Sequence, residues 1–189
     1  MSTAAPDDGL VIRSEPEVVE LASIGLDEFR QIMGSLASGV SVITSLDEDG
    51  APYGMTCSAV CSVSAEPPLL LTCVRTPSTT LNAIRSSGRF LVNFLDADAL
   101  ALSDLFASRT PDKFAEVGWR HSDRLGLPQL ERTVAHAECL VHDVVTAGDH
   151  AIVLGRIIDG QAIPDRFPLG YWRGRDVQVF RVAEHTERS

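Results

Sequence analysis

Three short segments of the sequence combine small, hydroxyl-bearing and turn-forming residues suited to a phosphorylated ligand with a flat ring. They are residues 54–59 (GMTCSA), residues 76–80 (TPSTT) and Gly148-Asp149-His150. Hydroxyl groups at a helix N-terminus bind phosphate without strong positive charge, because backbone N–H groups and the helix dipole do part of the binding. Small residues such as Ser58 and Ala59 let a flat ring lie close to the backbone.

Each segment also has an ordinary structural interpretation. Thr56 and Ser58 fit a plain strand, and Ser78 fits a simple helix cap. Gly148-Asp149 fits a hairpin turn, with His150 as a surface histidine after it. The combination of the three, rather than any one of them, favours a ligand site.

The elements that must position these segments are mostly strands with short turns. Strands are predicted at residues 40–45, 53–56, 60–64, 69–74, 90–95, 135–145, 151–158 and 177–182, with turns at 47–50, 66–68 and 147–149 and a loop at 116–131. This pattern predicts a mainly β fold with α-helices, an antiparallel barrel flanked by helices.

Three helices accompany the strands. The first follows residue 25, with Asp27 and Glu28 in its first turn, an apolar stripe and Gly39 as its C-terminal cap. The second runs over residues 79–86, between a Ser78 N-cap and a Gly88 stop. Residues 97–107 form the third, because they are rich in alanine and leucine.

Composition narrows the class of protein. The 189 residues carry a formal net charge of -10, which argues against a non-specific nucleic-acid binder. The length fits one domain, predicted at 25–182, with a flexible acidic arm at 1–24 and a tail at 183–189. No targeting segment or apolar membrane span is visible, so a cytoplasmic location is expected.

Several familiar catalytic motifs are missing from the sequence. It has no G-x-G-x-x-G at a helix start, no G-x-x-x-x-G-K-[ST] and no G-x-S-x-G. The four cysteines are expected to be buried apolar residues. His136, Glu138 and His142 share one strand face, which we interpret as solvated, and no metal site is predicted.

The order and spacing of the motifs resemble the flavin reductase family with the split-barrel flavin-binding fold, the reductase component of two-component flavin-dependent monooxygenases. The resemblance runs from about Phe29 to Phe180. It is carried by FRQIMGSLASGVSVIT, GMTCSAVCSVSAEPP, STTLNAI, FLVNFL, LFASR, KF and AGDH. It implies a split antiparallel β-barrel of the Greek-key type with flanking helices.

The resemblance also implies roles for particular residues. Thr56, Cys57, Ser58 and Ala59 would line the flavin ring and ribityl chain, and Ser78, Thr79 and Thr80 would bind the flavin phosphate. Gly148, Asp149 and His150 would lie beside the nicotinamide, with Asp149 and His150 as the catalytic pair. The remaining cofactor-binding candidates are Cys73, Asn93, Ser108, Arg109, Lys113 and Phe114. Cys57 and Ser108 depart from the family's commoner residues, a small residue and a glycine respectively.

The activity implied is NAD(P)H:flavin oxidoreduction, in which free FAD or FMN is reduced by NADH or NADPH. Reduced flavin would pass to a separate monooxygenase, and the reductase would be a homodimer. Neither a nucleic acid nor a membrane is an expected partner. The alternatives left open are a flavin-binding electron carrier or sensor of the same fold without NAD(P)H turnover, and a non-enzymatic assembly subunit.

Overall fold

The computed structural model describes residues 22–180, and most of them lie in β-strands. The predicted flexible arm at 1–24 and tail at 183–189 therefore lie mostly outside the described residues. The helices are α1 (Leu26–Gly34), α2 (Thr79–Ser87) and α3 (Leu100–Ala107), with a short 3-10 helix at Lys113–Glu116. The strands are β1 (Ser38–Gly39), β2 (Ser41–Leu46), β3 (Pro52–Cys57), β4 (Val60–Ala65), β5 (Pro68–Arg75), β6 (Arg89–Leu95), β7 (Trp119–His121), β8 (Pro128–Leu130), β9 (Thr133–Ala147), β10 (His150–Ala162), β11 (Leu169–Trp172) and β12 (Arg175–Gln178).

The main sheet is antiparallel and has seven strands in the order β3-β2-β6-β9-β10-β5-β4. Its two edge strands, β3 and β4, follow one another in the chain and are linked by Ser58 and Ala59 alone. Such a short link cannot cross the width of a flat sheet, so the sheet curls enough to bring the end of β3 next to the start of β4. The mainly β, antiparallel fold class predicted from the sequence is confirmed.

The curled sheet is filled by one hydrophobic cluster that includes residues from α2. Leu81 and Ile84 of α2 are buried with Ile43, Phe90 and Val153 of the sheet. The helix packs against β2, β3 and β6. Because α2 contributes its apolar stripe to this core, its N-terminus is held at a fixed place beside the sheet.

A second cluster covers the outer face of β2 and β3. Phe106 of α3 and Phe114 of the 3-10 helix pack edge to face, with 5.0 Å between ring centroids. Gly54 lies beneath them, and a Cβ at this position would come within 2.7 Å of the Phe106 ring. Only glycine lets α3 approach β3 this closely. With layers on both sides, every residue of β2 is buried.

The predicted helices and most predicted strands are confirmed, with bounds shifted by a few residues. Ser78 caps α2, where its Oγ accepts a hydrogen bond from the Leu81 N–H, and Gly88 ends the helix at φ 67°. The predicted C-terminal cap of α1 was wrong. The helix ends at Ser35, and Gly39 lies in β1, where it pairs with Gly170.

Several further expectations for strands, loops and turns were also wrong. Residues 116–131 contain the β7-β8 hairpin rather than only loop, and the last strand, β12, ends at Gln178. That strand belongs to a small sheet in the order β1-β11-β12. Pro68 is the first residue of β5 and pairs with Ala65, where the sequence predicts only a turn. A proline is tolerated there because it begins the strand.

The predicted solvated face of β9 was wrong at Glu138. This carboxylate is buried and accepts hydrogen bonds from the Ser122 hydroxyl at 2.7 Å and from the Arg124 N–H at 3.2 Å, as well as from the Leu125 N–H. It therefore holds the loop between β7 and β8 against the sheet. Cys61 was also predicted to be buried and is exposed, because it lies on the edge strand β4.

An apolar face of α1 remains exposed. Leu26, Phe29, Ile32, Met33 and Leu36 are all exposed large hydrophobic residues, and none of the α1 residues is buried. Polar residues occupy the rest of the helix. Within residues 22–180, no helix is long and apolar enough to cross a membrane.

Candidate functional site

The Gly148-Asp149-His150 turn is bonded directly to the segment that leads into α2. The carbonyl oxygen of Asp149 accepts two hydrogen bonds from Thr76, one from its N–H and one from its hydroxyl, both at 2.9 Å. Gly148 makes the turn with φ +59°, a conformation that disfavours side chains. The second and third predicted segments are thus joined into one surface.

The N-terminus of α2 has the geometry of a phosphate site. Ser78 is half-buried, Thr79 is exposed and Thr80 is buried. The Ser78 hydroxyl accepts a hydrogen bond from the Leu81 N–H. The N–H groups of Thr79 and Thr80 lie in the first turn, where the helix provides no backbone acceptor for them. A bound phosphate would meet these N–H groups and the positive end of the helix dipole.

The first predicted segment lies next to β5. Cys57 is buried, and its Sγ lies 3.3 Å from the Thr72 hydroxyl, while the Ala59 carbonyl accepts a hydrogen bond from the Cys73 N–H at 3.1 Å. Ser58 and Ala59 are exposed. Because the chain runs from Cys73 through the end of β5 to Thr76 and Ser78, all three segments lie near the end of this strand. The exposed small residues Ser58 and Ala59 leave room for a flat ring against the backbone.

Asp149 and His150 form a hydrogen-bonded pair at the rim of this surface. His150 Nδ1 lies 2.8 Å from Asp149 Oδ1. This hydrogen bond and the charge of the imidazole hold the pKa of the Asp149 carboxyl below its usual range, with a smaller contribution from Arg75. An ionised carboxylate can only accept, so Nδ1 of His150 carries a proton and donates a hydrogen bond to Asp149, while Nε2 faces away from that carboxylate.

The predicted residues at the end of α3 form a separate group on the outer face of β3. Thr56 donates to the Ser103 carbonyl at 2.6 Å, and Ser108 caps the helix by donating to the Leu105 carbonyl at 2.7 Å. Arg109 is exposed. Lys113 donates to the Phe106 carbonyl at 2.8 Å, and burial lowers the pKa of its ammonium group.

Two predicted cofactor-binding side chains lie in the core. Asn93 is fully buried, and its amide joins β6 to neighbouring elements: Nδ2 donates to the Val42 carbonyl and to the Thr44 hydroxyl, and Oδ1 accepts from the Leu130 N–H. The Phe114 ring is buried against Phe106. The structure does not bring either side chain to the surface shared by the three segments, because their contacts are used in packing.

Arg75 is a residue of this surface that the sequence reasoning missed. It is the last residue of β5, it is exposed, and it lies opposite His150 in the antiparallel register. The available signal was its position, an arginine between the apolar run of β5 and the Thr76-Pro77-Ser78 helix start.

Comparison with known proteins gives one consistent family. The model of the flavin reductase like domain matches residues 33–179. A flavin reductase (NADH) of Kitasatospora aureofaciens is 46% identical over 149 residues, 78% of each chain. A flavin reductase (NADPH) of Lentzea aerocolonigenes is 43% identical over 72% of this chain and 80% of its own length. The monooxygenase reductase subunit HsaB of Rhodococcus jostii is 39% identical over 78% of this chain and 74% of its own length.

Solved structures agree with the sequence matches. The NADH:FAD oxidoreductase SgcE6 of Streptomyces globisporus, in complex with NAD and FAD fragments, superposes with a TM-score of 0.77 at 31% identity. The superposition covers 85% of this chain and 94% of that one. The curled antiparallel sheet with α2 packed into it is therefore an architecture that this chain shares with a flavin-reducing enzyme.

Proposed function

Because this chain belongs to the flavin reductase family, we propose that its three-segment surface binds FAD or FMN beside NADH or NADPH and catalyses hydride transfer between them. The observation that carries the assignment is the junction at β5. Residues 57–59, the start of α2 and the Gly-Asp-His turn all contact the same eight-residue strand or its continuation. A flavin and a nicotinamide must be stacked for hydride transfer, so their binding groups must converge in this way.

The residues present fit a flavin. Exposed Ser58 and Ala59 leave room for a ring against the backbone, and their N–H groups would stabilise negative charge on the reduced ring. The N–H groups of Thr79 and Thr80 would hold the flavin phosphate, with Ser78 fixing the helix end. When bound, the flavin supplies the redox chemistry as the acceptor of hydride from the nicotinamide.

His150 would orient the nicotinamide nucleotide. Its ring is held by Asp149 on one side, and its Nε2 faces away from that carboxylate. The two hydrogen bonds from Thr76 fix the Asp149 backbone, so the position of the imidazole is set by the same segment that leads to the phosphate site. This connection would hold the flavin and the nicotinamide nucleotide at fixed positions relative to one another.

The activity is tested by steady-state oxidation of NADH and of NADPH with FAD, FMN and riboflavin in turn. We expect flavin-dependent loss of nicotinamide absorbance with at least one pair. Absence of turnover with every pair, in protein that binds flavin, would identify an electron carrier or sensor. Absence of flavin binding as well would favour an assembly subunit.

We also propose that the reduced flavin leaves the protein and serves a separate monooxygenase. Support comes from the HsaB relative, which is itself a monooxygenase reductase subunit. In the test, the reductase with NADH and flavin is separated from a reduced-flavin-dependent oxygenase by a membrane permeable to small molecules. Product is expected only when the oxygenase is present. Flavin retained through dialysis and turnover would instead identify a self-contained flavoprotein.

The exposed apolar face of α1 supports a homodimer. Leu26, Ile32 and Leu36 are 62%, 57% and 64% exposed, and monomeric proteins rarely leave large contiguous apolar patches in water. A second copy of the chain would cover this face. A cytoplasmic location is part of the same proposal, supported by four free cysteines, which suit a reducing compartment.

A further inference from the structure

Arg75 and His150 form a cross-strand pair at the rim of the three-segment surface. They lie directly opposite one another where β5 pairs with β10. Residues opposite each other in an antiparallel pair project from the same face of the sheet, with Cβ atoms about 5 Å apart. Val74, the preceding residue, is buried in the core, so Arg75 points away from the core on the side of His150.

The charge around this pair makes Arg75 available to an anionic ligand. Its guanidinium is exposed, and among residues 22–180 it forms no ion pair within 4.0 Å. The charge of Arg75 acts on Asp149, whose carboxylate is already hydrogen-bonded to His150. The protein as a whole carries a formal charge of -10, which repels anionic ligands. A cation at the rim offsets this repulsion locally and attracts a phosphorylated ligand to the site.

The ligand beside His150 is, on the function proposed above, a nicotinamide dinucleotide, which carries a pyrophosphate in NADH and an additional 2′-phosphate in NADPH. We propose that Arg75 binds a phosphate group of this dinucleotide and thereby contributes to the choice between NADH and NADPH. Arginine suits this role because its planar guanidinium makes two parallel hydrogen bonds to phosphate oxygens. The inference rests on the proposed function and adds to it a residue that determines specificity.

The flavin phosphate is a less suitable partner for Arg75. That phosphate is assigned to the first turn of α2, beyond Thr76 and Pro77, where backbone N–H groups already receive it. Arg75 instead lies opposite His150, the residue that we propose faces the nicotinamide. Binding of the flavin phosphate by Arg75 is therefore the alternative that the experiment must distinguish from binding of a phosphate of the dinucleotide.

The test compares wild type, Arg75→Gln and Arg75→Lys in steady-state kinetics with NADH and NADPH, each with FMN and with riboflavin. Arg156→Gln is the matched control, an exposed arginine on β10 that pairs with Leu69, six positions along the strand from His150. Thermal unfolding of each variant establishes that it is folded. Loss of a charge-assisted phosphate contact should raise KM about tenfold in Arg75→Gln with little change in kcat. The lysine variant should be intermediate.

The pattern across substrates identifies the phosphate. A KM increase for NADPH alone assigns Arg75 to the 2′-phosphate. An equal increase for both nucleotides assigns it to the pyrophosphate and contradicts its role in the choice between NADH and NADPH. Unchanged KM for both nucleotides would overturn the proposal, as would an increase confined to FMN with riboflavin unchanged. Failure of the wild type itself to oxidise either nucleotide would count against the proposed function instead, so the two failures are distinguishable.

Discussion

Thr76 donates both its N–H and its hydroxyl to the carbonyl oxygen of Asp149, each at 2.9 Å. The backbone bond continues the pairing of β5 with β10 past the end of the ladder, and the hydroxyl bond reinforces it. Through this contact, the turn that carries His150 is tied to the segment that begins α2. We therefore expect a change in one of these two segments to affect the other.

Replacing Thr76 with valine should loosen this connection while keeping its backbone bond. We expect a loss of about 1 kcal/mol or less in unfolding free energy, because the hydroxyl bond is partly exposed. KM for the nicotinamide nucleotide should rise a few-fold, because the turn loses one of its two bonds. Thr146→Val is the control, an exposed β9 residue close to the same turn. Equal kinetic effects in the two variants would contradict the coupling.

Substitutions at Ser78 separate helix capping from phosphate binding. Ser78→Ala removes the acceptor for the Leu81 N–H and should cost about 1 kcal/mol of stability. Ser78→Asp keeps an N-cap acceptor and suits the helix dipole, but its carboxylate repels a phosphate.

The aspartate variant should therefore be as stable as wild type and show a KM for FMN raised about tenfold, with kcat little changed. Riboflavin, which has no phosphate, provides the internal control, and its KM should not change. If Ser78→Asp binds FMN as wild type does, the phosphate does not lie at the start of α2.

The N-terminus of α2 was predictable from sequence because its signals are local. Ser78 and Gly88 have the conformational preferences of a helix cap and a left-handed stop, and these do not depend on distant contacts. The small sheet was not predictable in the same way. Gly39 of the short strand β1 pairs with Gly170, far along the chain, and neither residue has a strand propensity that marks it.

The predicted site residues show the same difference between local and long-range signals. Thr79 and His150 were predicted as site residues because each follows a capping or turn residue in sequence. Asn93 was predicted from the resemblance of its motif, and the sequence does not show that its side chain is buried. Its amide satisfies backbone groups on two neighbouring elements in the core. Arg75 was not predicted, because its position opposite His150 depends on the register of two strands that are distant in sequence.

Removing the imidazole of His150 should affect the nicotinamide and not the flavin. For His150→Ala we expect KM for NAD(P)H to rise about tenfold and the hydride-transfer rate in stopped flow to fall, with flavin KM unchanged. Asp149→Asn keeps an acceptor oxygen near Nδ1 without its charge, so its effect should be smaller. His142→Ala, an exposed histidine on β9, is the matched control. If KM for NAD(P)H and the hydride-transfer rate are equal in wild type and His150→Ala, this histidine is a surface residue with no part in nicotinamide binding.

Alkaline pH should destabilise the folded protein through ionisation of the buried thiol of Cys139. Burial, with a smaller contribution from the Glu138 carboxylate, raises the pKa of this thiol from 9.0 to about 12. The unfolded chain ionises the thiol near its ordinary pKa while the folded chain keeps it neutral. Its contribution to stability is thus complete below pH 9 and is lost as pH rises toward 12.

Urea unfolding of wild type and Cys139→Ala measures this contribution, because ionisation of all other groups cancels in the comparison. Between pH 8 and pH 10.5 the wild type should lose about 2 kcal/mol more than the variant, at up to about 1.4 kcal/mol for each pH unit above the ordinary thiol pKa. The variant should be less stable at pH 8, because the substitution leaves a cavity. Parallel pH profiles for the two proteins would show that Cys139 ionises as readily when folded.

Charge placed on the apolar face of α1 tests the proposed homodimer. Ile32 lies on the exposed apolar face of this helix, and Gln31, its neighbour in sequence, lies on the polar side. Wild type should sediment at about twice its 20.4 kDa chain mass, whereas Ile32→Lys should sediment as a monomer, because a buried unpaired lysine strongly disfavours association. Gln31→Lys adds the same charge on the other face of the helix and should remain dimeric. Circular dichroism distinguishes dissociation from unfolding. A wild-type monomer, or equal dissociation of both variants, would show that α1 does not form the interface.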